Sequence, residues 1–168
     1  DRIPAYIRRV TFDEHGANAT GRYWETDGHT WKHPRPVAIS GVRTARPRIY
    51  ESHAGMAQEA EKIGSFAEFR ELILPRIAKA GYNAVQLMAV QEHPYYGSFG
   101  YHVSSFFAVS SRFGTPDDFK HLVDAAHGLG LSVYLDLVHS HAVKNTIEGL
   151  NLFDGTDYQY FHTGPLGL

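Results

Sequence analysis

The sequence contains no cysteine, which excludes both a disulfide framework and a thiolate metal site. It also lacks an excess of charge of one sign. Its 16 Lys and Arg residues face 18 Asp and Glu residues, so nothing favours nucleic acid or an anionic membrane as a partner. No apolar run is long enough to span a bilayer, and Asp1-Arg-Ile-Pro4 has no signal-peptide pattern. We therefore expect a globular protein in a reducing compartment, the cytoplasm.

From residue 47 onward, strands and helices alternate in the sequence pattern. The predicted elements are a strand at 48–52, a helix at 65–80, a strand at 82–90, a helix at 115–129 and a strand at 131–138. Ser65 and Thr115 are suitable N-caps, and Pro75 lies inside the first helical pattern, where we expect a kink. This order predicts an α/β fold with a parallel sheet.

Two α/β architectures begin in this way, and the loop after the first strand separates them. Glu51-Ser-His-Ala-Gly55 lacks the G-x-G-x-x-G pattern of a dinucleotide-binding fold, and the Walker pattern is absent as well. The long polar loop after the second strand suits a (β/α)8 TIM barrel, whose loops build the site. Such a barrel needs roughly 250 residues, so we expect residues 47–168 to supply only its first three β-strands.

Residues 1–46 follow a different pattern. Apolar residues alternate between Ile3 and Val10, turn formers are frequent, and no helical period is present. His33-Pro-Arg-Pro36 forces an extended path because each proline restricts the residue before it. The sequence therefore predicts two domains: 1–46, the end of a β-sandwich with its connector, and 47–168, the N-terminal part of a barrel.

Polar side chains mark the ends of two neighbouring predicted strands. Asp136, His139 and His141 lie at the C-terminal end of the last strand, and a second polar cluster at 91–102 follows the strand before it. In parallel α/β folds the loops that leave this end of the sheet form the mouth of the site. We therefore predict that the two clusters together build the functional site.

Three motifs resemble those of the α-amylase superfamily, glycoside hydrolase family 13: Asp136-Leu-Val-His-Ser-His141, Gly97-Ser-Phe-Gly-Tyr101 and Ser111-Arg-Phe-Gly-Thr115. The asparagine that usually precedes the final histidine is replaced by Ser140. Other segments are similar to the glycogen and starch (1,4-α-glucan) branching enzymes, and the last of them to the eukaryotic type: residues 49–53, 81–88, 92–101, 149–157 and 160–162. Residues 1–33 resemble only loosely the carbohydrate-binding β-sandwich that precedes the barrel in that family.

The resemblance implies a retaining glycosyltransferase reaction that uses no cofactor. An α-1,4-glucan such as glycogen, amylose or amylopectin is cleaved through a covalent glycosyl-enzyme, and the cut chain is transferred to a 6-hydroxyl to form an α-1,6 branch. The resemblance also implies that the nucleophile and the acid/base carboxylate of this mechanism lie beyond Leu168. We therefore expect the 168-residue chain itself to be inactive.

The resemblance further implies a set of substrate-binding residues and no metal ligands. Tyr101, Asp136 and His141 are expected to line the pocket for the sugar at the cleavage point. Carboxylates and imidazoles hydrogen-bond to sugar hydroxyls, and an aromatic ring can stack beneath the sugar. The further candidates are His139, Tyr95 and Phe99.

Three alternatives remain open on the sequence. The first is an α-glucan hydrolase of the same superfamily, and the second is a non-catalytic glucan-binding fragment. The third is a metal-dependent hydrolase, because His139-x-His141 places two imidazoles on one face of an extended segment near Asp136. For that alternative, Glu92-His93 is the only further source of ligands.

Overall fold

A computed structural model describes residues 2–16, 18–25, 27–36 and 46–163, which form two compact units. Unit 1 is drawn from Asp1–Trp24, Gln91–Ser111 and Leu137–Leu168, and unit 2 from Glu25–Val90 and Arg112–Asp136. None of the helices in the described residues has both the length and the apolar character that a membrane crossing requires. The division of the chain at residue 46 stays a prediction, and the connector residues 37–45 lie outside the described part.

Helices and strands are mixed along the chain, as the sequence pattern predicts. The elements are β1 (Val10–Phe12), β2 (Ala19–Gly21), β3 (Ile49–Ser52), α1 (Phe66–Glu68), a π-helical segment (Phe69–Ile73), α2 (Leu74–Lys79), β4 (Ala84–Leu87), β5 (Gln91–Glu92), a 3₁₀ turn (Tyr96–Ser98), β6 (Ser105–Val109), α3 (Pro116–Gly128) and β7 (Ser132–Leu135). The α/β class is confirmed.

Unit 2 contains a three-stranded parallel sheet in the order β3-β4-β7. Ile49 pairs with Ala84 and Ala84 pairs with Ser132, so the three strands start at the same level. The predicted strand at 82–90 ends early, at Leu87, because Ala89 has a φ of 27° that cannot continue a strand. The predicted parallel arrangement is confirmed, and all three C-terminal ends lie at one edge of the sheet.

The predicted helix at 65–80 is interrupted by the π-helical segment. Ser65 is the predicted N-cap, and it forms a capping box with Glu68. Leu74 N–H donates to the carbonyl of Phe69, five residues back, immediately before Pro75. Proline has no N–H and its ring crowds the carbonyl four residues earlier, so the helix takes in one extra residue at this point. The expected irregularity at Pro75 is therefore a π-helical segment.

α3 begins at the predicted cap. The Thr115 hydroxyl accepts from Asp118 N–H, and the Asp118 carboxylate accepts from Thr115 N–H, which forms a second capping box. Pro116 occupies the first turn, where its missing N–H costs nothing. Leu122 and Ala126 are buried on the inner face of the helix. The start of α3 was therefore predictable from local signals.

Unit 1 is built from two short antiparallel pairs, β1 with β2 and β5 with β6. Its hydrophobic core includes Ile3, Val10 and Ala108. The predicted strand between Ile3 and Val10 begins only at Val10, because a turn follows Pro4. The β5–β6 pair is unexpected, since the sequence pattern indicated only a long polar loop there. Backbone pairing between β5 and β6 thus orders the residues of this loop.

Candidate functional site

Asp136 extends the edge of the parallel sheet in unit 2. Its N–H donates to the carbonyl of Leu87 at 3.1 Å, so the pairing of β7 with β4 continues one residue past the strand. Its Oδ1 accepts a hydrogen bond of 2.8 Å from Nε2 of Gln86. Gln86 lies on the neighbouring strand, with apolar residues on either side. The hydrogen bond from the Asp136 backbone to Leu87 and the one from Gln86 to the Asp136 side chain therefore fix the orientation of the carboxylate.

Gln86 was not among the predicted site residues. The signal for it was present, because a glutamine stands inside an otherwise apolar strand. A buried or half-buried amide in such a strand needs a hydrogen-bonding partner. The sequence could not name Asp136 as that partner, since the two residues are 50 positions apart.

Tyr101 belongs to unit 1 and follows a tight loop. The 3₁₀ turn leads into Phe99 and Gly100, which have φ values of 54° and 89°, both in the left-handed region. Tyr101 N–H then donates to the carbonyl of Ser98 at 3.0 Å. Glycine adopts this conformation without strain, and Phe99 does so at a cost. The loop turns back on itself and presents a half-buried Tyr101.

Tyr95 and Phe99 stand on the rim of the same loop. Their side chains are 65% and 42% exposed, so neither ring is buried in a core of its own. The Tyr95 ring lies over Gly97, where an added Cβ would come within 3.0 Å of Cε1 of the ring. This position leaves ring surface open to solvent, and stacking on a sugar by either residue stays a prediction.

His141 is exposed in unit 1 and paired through one ring nitrogen. Its Nδ1 lies 2.6 Å from the hydroxyl of Ser140, the residue that replaces the usual asparagine. Ala142 forms a parallel bridge with Val103, and Val143 N–H donates to the carbonyl of Val103 at 3.0 Å. The segments that carry Tyr101 and His141 are therefore hydrogen-bonded to each other, whereas Asp136 belongs to unit 2.

Gln91 and Glu92 form side-chain hydrogen bonds that anchor other segments of unit 1. The Gln91 amide donates to the carbonyl of Phe106 and accepts from Val138 N–H, each at 3.0 Å. The fully buried Glu92 carboxylate accepts from Ser111 N–H at 2.7 Å and from the N–H of the next residue at 3.1 Å. These contacts agree with an anchoring role, because a buried carboxylate is stable only when it is well hydrogen-bonded.

His139 occupies a different position from His141. Its ring stacks on Phe106 with 6.2 Å between centroids and an interplanar angle of 15°. Within the described residues, no three His, Asp or Glu side chains are placed to hold one metal ion. The metal-dependent alternative therefore gains no support from the positions of His139 and His141.

Asp154 forms an Asx turn in the tail of unit 1. Its Oδ1 accepts from the backbone N–H of Thr156 at 3.1 Å and from the Thr156 hydroxyl at 2.9 Å. The backbone and side-chain hydrogen bonds from Thr156 lower the pKa of this carboxyl. Gly155, with a φ of 91°, permits the turn.

The chemistry open to each unit is recognition of hydroxyl groups. In unit 2 the oriented Asp136 carboxylate can accept hydrogen bonds from them, and in unit 1 the exposed His141 imidazole can bind them while the half-buried Tyr101 ring can stack on a sugar. A cavity of about 310 Å³ opens beside His141 and is lined also by His102 and Lys144. Its size is in the range of small-ligand sites, which are about 300–1,000 Å³.

Comparison with known proteins identifies the family of this chain. The family model for the alpha amylase catalytic domain matches residues 71–161. A 1,4-alpha-glucan-branching enzyme of Eremothecium gossypii is 51% identical over 169 residues, which is 96% of this chain and 24% of that protein. The 1,4-alpha-glucan-branching enzyme 2-2 of Arabidopsis thaliana is 52% identical over 170 residues, which is 99% of this chain and 20% of that protein.

A solved structure supports the fold. A crystal structure from Salmonella typhimurium, of a protein with a provisional alpha amylase name, has a TM-score of 0.60 and 30% sequence identity. The similarity covers 86% of this chain and 22% of that one. This chain thus spans about a quarter or less of the length of each of these three proteins.

Proposed function

Because the chain belongs to the alpha amylase catalytic-domain family, we propose that it is part of a 1,4-α-glucan branching enzyme. The proposed reaction cuts an α-1,4-glucan with retention and transfers the cut chain to a 6-hydroxyl, which makes an α-1,6 branch. Identity of 51–52% to branching enzymes, over 96–99% of the chain, supports this reaction. The substrate would be glycogen, amylose or amylopectin, and the location cytoplasmic.

The observation that carries the proposal is the identity to branching enzymes over nearly the whole chain, and hydrogen bonds within each unit support the roles of the site residues. Gln86 fixes the Asp136 carboxylate, and the Val103–Ala142 bridge joins the segments of Tyr101 and His141. In the proposed site Asp136 accepts hydrogen bonds from sugar hydroxyls and His141 donates to a hydroxyl oxygen. Tyr101 stacks on the same sugar. The nucleophile and the acid/base belong to other parts of the full-length protein.

The proposal extends to the architecture. β3, β4 and β7 would be the first three strands of a (β/α)8 barrel, and β1 and β2 would belong to the end of a carbohydrate-binding β-sandwich. The parallel order β3-β4-β7 and the antiparallel β1–β2 pair support this assignment. A crystal structure of the full-length protein tests it, since the three strands must then be adjacent in a closed sheet of eight.

The deciding assay uses the full-length protein and amylose. Branching shortens the linear runs that bind iodine, so we expect the iodine colour to fall with little rise in reducing ends. Tyr101→Ala should lower the rate by roughly ten- to a thousandfold, in line with the loss of one contact to the reacting sugar. Tyr23→Ala, which removes a ring that is 84% exposed, is the matched control and should keep the rate.

An α-glucan hydrolase is the second candidate. The similarity to the Salmonella protein favours it, although at lower identity than the branching enzymes. The same assay separates the two functions. A rise in reducing ends in step with the loss of iodine colour would replace the branching proposal with hydrolysis.

A further inference from the structure

Residues 29–35, here called the strap, lie against α3 in unit 2 and take no part in the site already described. The backbone N–H groups of Lys32 and His33 both donate to Oδ1 of Asp124, at 3.0 and 2.9 Å. Nδ1 of His33 lies 3.4 Å from the same oxygen. The His33 ring also covers Gly128, where an added Cβ would come within 3.0 Å of it. Asp124 is buried, so one buried carboxylate oxygen holds the strap on the helix.

Four histidine side chains lie along this contact, two from the strap and two from α3: His29, His33, His121 and His127. The His29 ring stands edge-on to the rings of Trp31 and His121, with 4.6 and 5.0 Å between centroids. The Trp31 ring lies in turn 6.3 Å from the ring of His127. Histidine is the side chain whose charge ordinarily changes between about pH 5 and 8. Acid therefore adds positive charge to this one contact.

The carboxylates at the contact can balance only part of that charge. Asp124 faces His33, and Asp118 lies close enough to His121 for their charges to interact. Protons on His33 and His121 are therefore compensated. The other charged residues nearby are Lys32 and Arg35 on the strap, Asp117 and Lys120, which pair with each other on α3, and Arg70 near Asp118.

His29 and His127 are less well placed to take a proton. Nε2 of His29 is buried and has no hydrogen-bond partner among the described residues. Burial lowers the pKa of His127, and the nearby charges of Arg35 and His33 lower it further, against the attraction of Asp124. A charged imidazole at either position thus opposes the closed contact.

Release of the strap changes the surroundings of His127. It takes away the Trp31 ring and the charges of Arg35 and His33, so the His127 pKa returns toward its ordinary value of about 6.5. A pKa that is lowered in the closed state stabilises that state fully above about pH 6.5, and the effect is lost as pH falls through the lowered value. Burial raises the pKa of Asp124, but the hydrogen bonds from the two strap N–H groups outweigh burial and the pKa is lowered, so Asp124 itself stays charged in this range.

We propose that the strap is an acid-sensitive latch, closed on α3 while His29 and His127 are neutral and opened when they are protonated. The Asp124 carboxylate is its clasp, and the two histidines are its sensors. Opening frees the backbone of residues 29–35 and leaves the sheet of unit 2 paired. The latch goes beyond the proposed function and does not depend on it.

Hydrogen–deuterium exchange of the full-length protein tests the latch, with rates corrected for the intrinsic effect of pH. Peptides that contain the N–H groups of Lys32 and His33 should be protected at pH 7.5. Their protection should fall by about tenfold at pH 5.5, the factor that corresponds to one pKa unit. His127→Gln cannot be charged and should keep most of the protection at pH 5.5. His15→Gln is the matched control, because His15 pairs with Glu14 on the surface of unit 1.

Each outcome decides the proposal. A loss of strap protection in acid that is reduced in His127→Gln and kept in His15→Gln supports the latch, and His29→Gln should act in the same direction as His127→Gln. Equal protection at both pH values overturns it, and so does an equal acid loss in the wild type and both sensor variants. An equal loss in peptides from β7 also overturns it, because acid then unfolds the sheet and not the strap alone. Asp124→Ala should leave the strap unprotected at both pH values, and a protected strap in this variant would contradict the clasp.

Discussion

The Asp136 carboxylate accepts a hydrogen bond from a side chain that lies 50 residues earlier in the chain. The position of Asp136 could be predicted from sequence, because this polar residue interrupts an apolar strand near the C-terminal end of the strand. The donor could not be predicted, since Gln86 becomes its neighbour only when β4 and β7 pair in register, with Gln86 opposite Tyr134. The hydrogen bond between the Ser140 hydroxyl and the His141 ring could not be predicted either, because a sequence motif does not show it.

Gln86→Met tests the value of this orientation. Methionine keeps the length of the side chain and removes the donor to Asp136. A hydrogen bond to a charged group contributes about 1.5–3 kcal/mol, so kcat of the full-length protein on amylose should fall by roughly tenfold or more if Asp136 must be held in place. Gln58→Met removes a comparable side-chain hydrogen bond, which Gln58 Nε2 donates to the carbonyl of Lys62, and should keep kcat. Equal activity in the two variants would contradict the role given to Gln86.

Elements with local signals were predictable, and elements that depend on distant partners were not. α3 has its cap, its first-turn proline and its acidic residues within four positions, so its start could be predicted to the residue. β5 has two residues and pairs with β6 across a register shift, which leaves no periodic pattern to detect. The π-helical segment lies between these cases, since Pro75 indicated the place and not the form of the irregularity.

The start of α3 should weaken in acid because of Asp118. Burial raises the pKa of this carboxyl, but the hydrogen bonds from the Thr115 hydroxyl and backbone N–H outweigh burial, and the pKa is lowered. A lowered folded-state pKa stabilises the fold fully above the unfolded value of about 4, and the effect is lost as pH falls through the folded pKa. Asp118→Asn should therefore lower the melting temperature by about 1–2 °C at neutral pH and by progressively less below pH 4.

The control for this pH dependence is the neighbouring residue. Asp117 lies in the same first turn and forms a surface ion pair with Lys120, at 3.4 Å. Asp117→Asn should change the melting temperature less at every pH, because surface ion pairs contribute little. Thermal unfolding of both variants from pH 7 to pH 2.5 measures the difference. A gap between wild type and Asp118→Asn that stays constant with pH would contradict the account.

At the scale of the whole molecule, the order of the strands could be predicted and the grouping of the chain could not. Alternation of strands and helices predicted the parallel sheet β3-β4-β7, because each crossover returns the chain to the same edge. The two compact units assemble stretches that are far apart in sequence, such as residues 2–16 with 91–111. Such grouping depends on which apolar faces meet, and a hydrophobic pattern does not specify its partner.

The sheet of unit 2 also predicts how the 168-residue chain behaves in isolation. Within the described residues, β3 and β7 are the two edges of the sheet, and Ile49 on β3 is 42% exposed. An exposed apolar edge strand pairs readily with another chain. We therefore expect the isolated chain to form oligomers, measured by light scattering after size-exclusion chromatography.

Ile49→Lys should roughly halve the oligomeric fraction, because a lysine on an edge opposes pairing. Ile63→Lys places the same charge on a residue that is 41% exposed and outside every strand. An equal effect of both substitutions would show that net charge, and not the edge of β3, controls association.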